Sequence, residues 1–227
     1  KYDVGIVGVW YGANYGSVAT YYALHQIIRS FGLSVLMIDK PVSAKNKKND
    51  WELNDNHARR FAREHYHTSR VYTLGEMHEL NNIVDSFVLG SDQVWNRGVN
   101  RGSDFAFYFN FVNDSKKKIA FGTSFGHGKD FCDTRETVRA AAYMARFDGI
   151  GIRETSGVKI CQDKFGVDAV RVLDPVFVAE RSVFDELADQ AKEKKQEKYL
   201  LAYILDPTPE KRDAVVHLAE KLGLEIA

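Results

Sequence analysis

The chain has 227 residues, 44% of them hydrophobic and 27% charged, which fits one large globular domain or two small ones and excludes a disordered polypeptide. Its 31 basic and 31 acidic side chains cancel, so no whole-molecule field favours nucleic acid and any anion site must be local. Two cysteines, Cys132 and Cys161, are too few for a disulfide framework and lack metal-ligand spacing, and no apolar run reaches the roughly 18 residues of a membrane span.

In chain order, Val4 to Val9 reads as a short buried strand, followed by a Gly/Asn/Tyr loop to Ser17 and an amphipathic helix from Val18 to Phe31, stopped by Gly32. Ser34 to Ile38 is apolar and branched, giving strand, helix, strand, the pattern of a parallel sheet. Lys40 to Asp55 is polar, carries Lys40, Lys45, Lys47 and Lys48, and predicts a solvated loop. Helices are expected over Asn56 to Tyr66, Leu74 to Asn82, Asp133 to Ala145 and Glu154 to Phe165. Strands are expected at Ser86 to Leu89, Lys118 to Phe121, Gly149 to Ile152 and Ala169 to Leu173.

Six short strands alternating with helices predict an α/β fold with a doubly wound, mostly parallel sheet, whose ligands sit beyond the carboxyl ends of the strands. After Asp174-Pro175 a charged stretch, Ala188 to Lys198, reads as a helix or linker. Tyr199 to Leu205 as strand and Thr208 to Leu222 as helix then begin a second α/β unit. The expected division is 1–175, a first domain; 176–198, a linker; and 199–227, the start of a second domain. The start at Lys1 and the apolar ending Leu224-Glu225-Ile226-Ala227 lead us to expect a fragment lacking a C-terminal portion. No signal-peptide pattern opens the chain, so a cytoplasmic location is expected.

Four strand-end loops hold the candidate chemistry. Gly12-Ala13-Asn14-Tyr15-Gly16-Ser17 joins a strand to a helix start, where backbone N–H groups can hold an anion, with Ser17 as the alternative helix cap. It matches neither G-x-G-x-x-G nor G-x-x-x-x-G-K-[ST], so a Walker loop is excluded and a dinucleotide fold with Asp39 on the ribose has little support. Gly90-Ser91-Asp92-Gln93-Val94-Trp95-Asn96 combines carboxylate, amides, a flat ring and a glycine, the mixture that sugar recognition needs; the structural alternative makes Asp92 and Asn96 caps and Trp95 core. Gly122-Thr123-Ser124-Phe125-Gly126-His127-Gly128-Lys129 adds hydroxyls, an imidazole and an ammonium. In Gly151-Ile152-Arg153-Glu154 a guanidinium leaves a strand end, placed either to bind an anion bidentately or to pair with Glu154 or another carboxylate. His57, His65, His67 and His78 lack ligand spacing, so no metal is expected, and the aromatic run Phe105 to Phe111 reads as core.

Taken in order, N-Y-G-S before a helix, F-V-L-G-S-D-Q-V-W-N, A-F-G-T-S-F-G, G-I-R-E-x-S-G and V-L-D-P resemble the polysaccharide pyruvyl transferase family. The resemblance implies a Rossmann-like N-terminal half of a glycosyltransferase-B-like pair, with further basic residues, including histidine, in the second half beyond Ala227. It also implies transfer of a pyruvyl group from phosphoenolpyruvate to two sugar hydroxyls as a ketal, in surface or exopolysaccharide biosynthesis, with no other cofactor. The partners would be phosphoenolpyruvate and a saccharide or lipid-linked saccharide, met in the cytoplasm or at the inner membrane face. Arg153, in the family's R-[DE]-x-S position, is the implied fixed cation, and Asp92, the best carboxylate available, is the expected base or orienting acceptor for sugar hydroxyls. Asn14, Tyr15, Gly16, Ser17, Gly90, Ser91, Gln93, Trp95, Asn96, Ser124, Phe125, Gly126 and His127 are the expected substrate contacts. Some relatives carry an acid where this chain has Ser17, so no carboxylate role transfers there. The competing readings are a nucleotide-sugar glycosyltransferase of the same architecture and a non-catalytic carbohydrate-binding component.

Overall fold

A computed structural model describes residues 1–12, 14–41, 56–96, 98, 105–126, 134–191 and 198–227. The chain divides into two compact units, Lys1–Val183 and Phe184–Ala227.

In the first unit, β1 (Tyr2–Val7) leads through a turn into α1 (Tyr15–Ser30) and back to β2 (Val35–Met37), which pairs parallel with β1. Asn14 caps α1, its side chain accepting from the Gly16 N–H at 2.8 Å. The cap is therefore three residues earlier than Ser17, which lies inside the first turn. α2 (His57–His65) follows, capped by Asn56. Met77–Asn82 forms a 3-10 helix where a longer α-helix from Leu74 was expected; Thr73 and Glu76 bond reciprocally across the preceding turn as a capping box.

Next come β3 (Val84–Leu89), a 3-10 turn at Ala106–Tyr108, β4 (Lys117–Thr123), α3 (Thr134–Met144) and β5 (Gly149–Ile152). α4 (Thr155–Ile160) runs into a π-turn at Cys161–Phe165 and ends on Gly166, whose φ of 64° suits only a residue without Cβ strain. β6 (Val170–Arg171) and the short α5 (Pro175–Val178) complete the unit. The strand order is β2-β1-β3-β4-β5-β6 and every pairing is parallel. Successive strands thus change direction of travel across the sheet between β1 and β3, the crevice where parallel α/β sheets bind ligands.

One large core lies under β3 and β4 and takes in the aromatic run as expected. Phe87, Phe105, Phe107, Tyr108 and Phe109 are all buried there, with Trp95 and Phe125 among them. Phe105 and Phe109 hold φ of 63° and 55°, left-handed conformations that only tight packing sustains for such bulky residues. A smaller cluster between α1 and the β1–β2 edge contains Ile6, Trp10, Tyr21, Leu24 and Met37. Asp39, weighed above as a ribose ligand, is instead buried against Arg59, whose guanidinium reaches its two oxygens at 3.0 and 3.3 Å.

α6 (Arg181–Asp189) spans the boundary between the units. The second unit holds β7 (Tyr199–Leu200), α7 (Pro209–Leu222) and β8 (Glu225–Ile226), with β7 and β8 paired parallel. β7 is shorter than the strand expected over Tyr199 to Leu205: its pairing with β8 covers Tyr199 and Leu200, which lie opposite Glu225 and Ile226. No described helix is long and apolar enough to cross a membrane.

Candidate functional site

The carboxyl ends of β1, β3, β4, β5 and β6 converge on two carboxylates and one guanidinium. Asp92, three residues past β3, has φ of 131°, a conformation that side chains rarely adopt. Its neighbours hold it there: the Asp92 carbonyl accepts from Val94 and Ser124 N–H groups at 2.8 and 2.9 Å, and its residue bridges to Thr123 on β4. Its carboxylate accepts from the Ser17 hydroxyl at 2.9 Å and from the Gln93 N–H at 2.7 Å. With 31% of its side chain exposed, it is fixed in direction yet open to solvent. Strain of this kind persists where the surroundings over-determine it, and it clusters at functional sites.

Arg153, the first residue after β5, is pinned by its N–H to the Thr123 carbonyl and donates from Nη1 to Asp174 Oδ2 at 2.8 Å. Its Nη2 lies 4.0 Å from Asp92 Oδ1. The partner foreseen as an alternative, Glu154, is elsewhere: its Oε1 accepts from the Phe125 N–H at 2.7 Å. Arg153 is therefore salt-bridged, to Asp174, while 30% of its side chain stays exposed.

Asp174, of the V-L-D-P motif and absent from the expected contacts, completes the cluster. It follows β6 and caps α5, accepting from the Val176 N–H at 3.1 Å. The same carboxylate accepts from Thr20 of α1 at 3.1 Å, and the Ser91 hydroxyl sits 2.9 Å from both its Oδ2 and the Gly122 carbonyl oxygen. Burial alone would raise the pKa of Asp174, but hydrogen bonds from Val176, Arg153, Ser91 and Thr20 outweigh it and hold the group below the ordinary carboxylate value. One carboxylate thus ties together α1, the β3 loop, β5 and α5. The Asp-Pro pair was the available signal, since Asp at a cap followed by Pro at the first helical position is a helix start.

The remaining expected contacts separate into rim and core. Asn14, Tyr15 and Gly16 are exposed at the start of α1, and Tyr15 stacks on His57 with ring centroids 4.1 Å apart. That stacking brings His57 of α2 to the rim, which its sequence spacing did not signal. The Gly16 N–H is already used by Asn14, so this helix start does not present it to an anion. Ser17 is buried and serves Asp92. Gln93 is exposed, its amide oxygen accepting from Asn96, while the Asn96 oxygen accepts from the Gly98 N–H.

Several members of the expected contact set are core, for a physical reason. Trp95 is 2% exposed, stacks on Tyr108 and donates to the Phe107 carbonyl, leaving no ring face for a sugar. Phe125 is buried between Trp95 and Phe165. Ser91 and Ser124 are buried; the Ser124 hydroxyl accepts from the Gly126 N–H. Gly90 does give room for a close approach, but to Tyr21: a Cβ there would fall 2.2 Å from the tyrosine ring, and one on Gly8 would fall 1.8 Å from its hydroxyl oxygen. Tyr21 is fully buried between those glycines and accepts from the Val9 N–H at 3.0 Å. Gly126 has φ of 80° and sits against Gln93 and Asn96, closing the loop. His127 lies outside the described residues, as do Lys129 and residues 42–55 of the lysine-bearing loop.

Chemically, the rim offers an oriented carboxylate with accessible oxygens, a guanidinium braced by a second carboxylate, and exposed amide and phenol groups. Among the described residues no group of three His, Cys, Asp or Glu side chains is placed to hold a metal ion. A family model described as polysaccharide pyruvyl transferase matches residues 14–227. No curated protein matches the chain. No solved structure matches it either.

Proposed function

The chain belongs to the polysaccharide pyruvyl transferase family, and from that premise we propose that the Asp92–Arg153–Asp174 cluster is where a pyruvyl group passes from phosphoenolpyruvate to two hydroxyls of a sugar. The reaction balances as follows. The donor's methylene carbon gains one proton, two C–O bonds to the sugar form at the adjacent carbon, and the C–O bond to phosphate breaks. Of the two hydroxyl protons released, one balances the new methyl group and the other leaves with phosphate.

Three tasks follow for the protein. A base must take a hydroxyl proton as the oxygen attacks, and Asp92 is the carboxylate held in one direction with its oxygens open. A fixed cation must orient the donor, and Arg153 is braced for it by Asp174, with part of its side chain still exposed. The acceptor must be held by its other hydroxyls, a task suited to Gln93, Tyr15 and Asn14 on the rim. Asp92 and Asp174 against Arg153 leave the cluster one negative charge, so a donor carrying both carboxylate and phosphate needs further cations beside Arg153.

The observation that carries the reading is the strained, doubly hydrogen-bonded Asp92 within 4.0 Å of a braced arginine at the carboxyl ends of a parallel sheet. The test is to incubate the protein with phosphoenolpyruvate or nucleotide-sugars and a panel of glycans, following phosphate release and acceptor mass. Acceptor-dependent phosphate from phosphoenolpyruvate supports the proposal. Acceptor gain from a nucleotide-sugar instead, or thermal stabilisation by glycan with no turnover, would replace it.

A further inference from the structure

Opposite the rim, where β1 and β2 begin, the first unit contains a cavity of about 610 Å³. The last turns of α1 and α2 meet there. α1 contributes His25 and Arg29; α2 and the residues after it contribute Arg63, His65, Tyr66 and His67. None of these residues takes part in the cluster around Asp92.

Two features mark the cavity as built for a ligand. The first is unmet hydrogen bonding. His25 is 2% exposed and its Nδ1 has no partner; the Tyr66 ring lies 4.8 Å away, and its buried hydroxyl has none either. Buried polar atoms are nearly always paired, so two orphans on neighbouring rings that line one cavity call for a further group. The second is a lining rich in basic groups. Burial first, and then Arg29, His67 and His65, press the His25 pKa down to about 4. Glu64 lines the cavity, while Asp3, at its edge, is bound three times over by Ser34: from the hydroxyl at 2.6 Å, from the backbone N–H at 2.8 Å, and through its own N–H to the hydroxyl at 3.0 Å. The other titratable groups facing the space are Arg63, Tyr2 and Tyr66. A metal is not the answer, since the histidines form no metal-holding group among the described residues.

We propose that this cavity is a second anion site that takes a phosphate group, free or as a small monoester, between the two arginines, with His25 protonating as the anion enters. Guanidinium forks suit phosphate oxygens, and an imidazolium beside a bound anion regains the charge that burial denies it. Uptake of a proton with the anion means that affinity rises as pH falls below the ordinary histidine range. The site is independent of whichever donor the Asp92 cluster takes.

The test is a histidine NMR titration of the protein with inorganic phosphate at constant ionic strength, set against chloride. Phosphate should raise the His25 midpoint from about 4 by about one unit, equivalent to about tenfold tighter binding by the protonated form. At neutral pH it should also move the His25, His65 and His67 resonances, which keeps the test valid if the protein is unstable in acid. The doubly substituted Arg29→Gln/Arg63→Gln protein, altered only at two exposed positions, should lose both responses. A small phosphate monoester giving the response when inorganic phosphate gives a weaker one identifies the ester as the source. Histidine resonances that ignore phosphate, or respond equally in the double variant, overturn the proposal.

Discussion

Replacing Asp174 by Asn separates its bracing role from the chemistry at Asp92. The amide oxygen can still accept from Val176 and Thr20, but its NH₂ replaces the oxygen that faces Arg153 Nη1 at 2.8 Å, so a donor meets a donor. A hydrogen bond to a charged partner is worth about 1.5–3 kcal/mol, and the exposure of Arg153 to solvent places this one toward the lower half, about 2 kcal/mol. For a chain of this size that is a fall in Tm of roughly 4–8 °C. The pH dependence carries its own signature. Because the folded pKa of Asp174 lies below 3.8, its contribution is complete above that value and disappears as pH falls through the folded pKa. The Tm gap between wild type and variant should hold steady at neutral pH and close in acid, where the wild-type carboxyl is itself protonated. Calorimetry across that range checks it. A gap that is absent at neutral pH, or that widens in acid, refutes the assignment of Asp174 as the hub.

Asp92→Asn should behave in the opposite way: stability within about 1 kcal/mol of wild type, since the amide can still bond Ser17 and Gln93, but turnover reduced about 10²–10⁴-fold as expected for loss of a general base, read from kcat against Tm. Gly90→Ala drives a methyl group to 2.2 Å from the Tyr21 ring, so it should destabilise by about 1–3 kcal/mol in denaturant melts although it lies beside the site; unchanged stability would show the ring free to move. His25, held neutral by burial with a pKa near 4 against 6.5 when unfolded, contributes stability that is complete above 6.5 and falls by about 3 kcal/mol as pH drops from 6.5 to 4. His25→Phe should flatten that limb of the stability–pH curve.

The sequence made the six parallel strands legible because alternation of apolar strands and amphipathic helices is a local pattern, and every predicted strand of the sheet overlaps an observed one. Boundaries moved where side-chain caps decided them, as at α1, where Asn14 rather than Ser17 caps the helix. In the site, Asp92 and Arg153 were readable as polar residues at strand ends, and they do approach each other. What composition could not disclose was direction. Trp95 and Tyr21 both belong to a glycine-marked neighbourhood, yet one turns into the core and the other fills the space those glycines leave. Asp174 was hidden for a related reason: it lies 83 residues from Ser91 and 154 from Thr20, and only the fold brings them together.

The most direct measurement is stoichiometric. With labelled phosphoenolpyruvate and an accepted glycan, each phosphate released should be matched by one pyruvyl group gained on the glycan, and Asp92→Asn should abolish both together while remaining folded. Phosphate released without gain on the glycan, or an Asp92→Asn protein that transfers at the wild-type rate, would contradict the account.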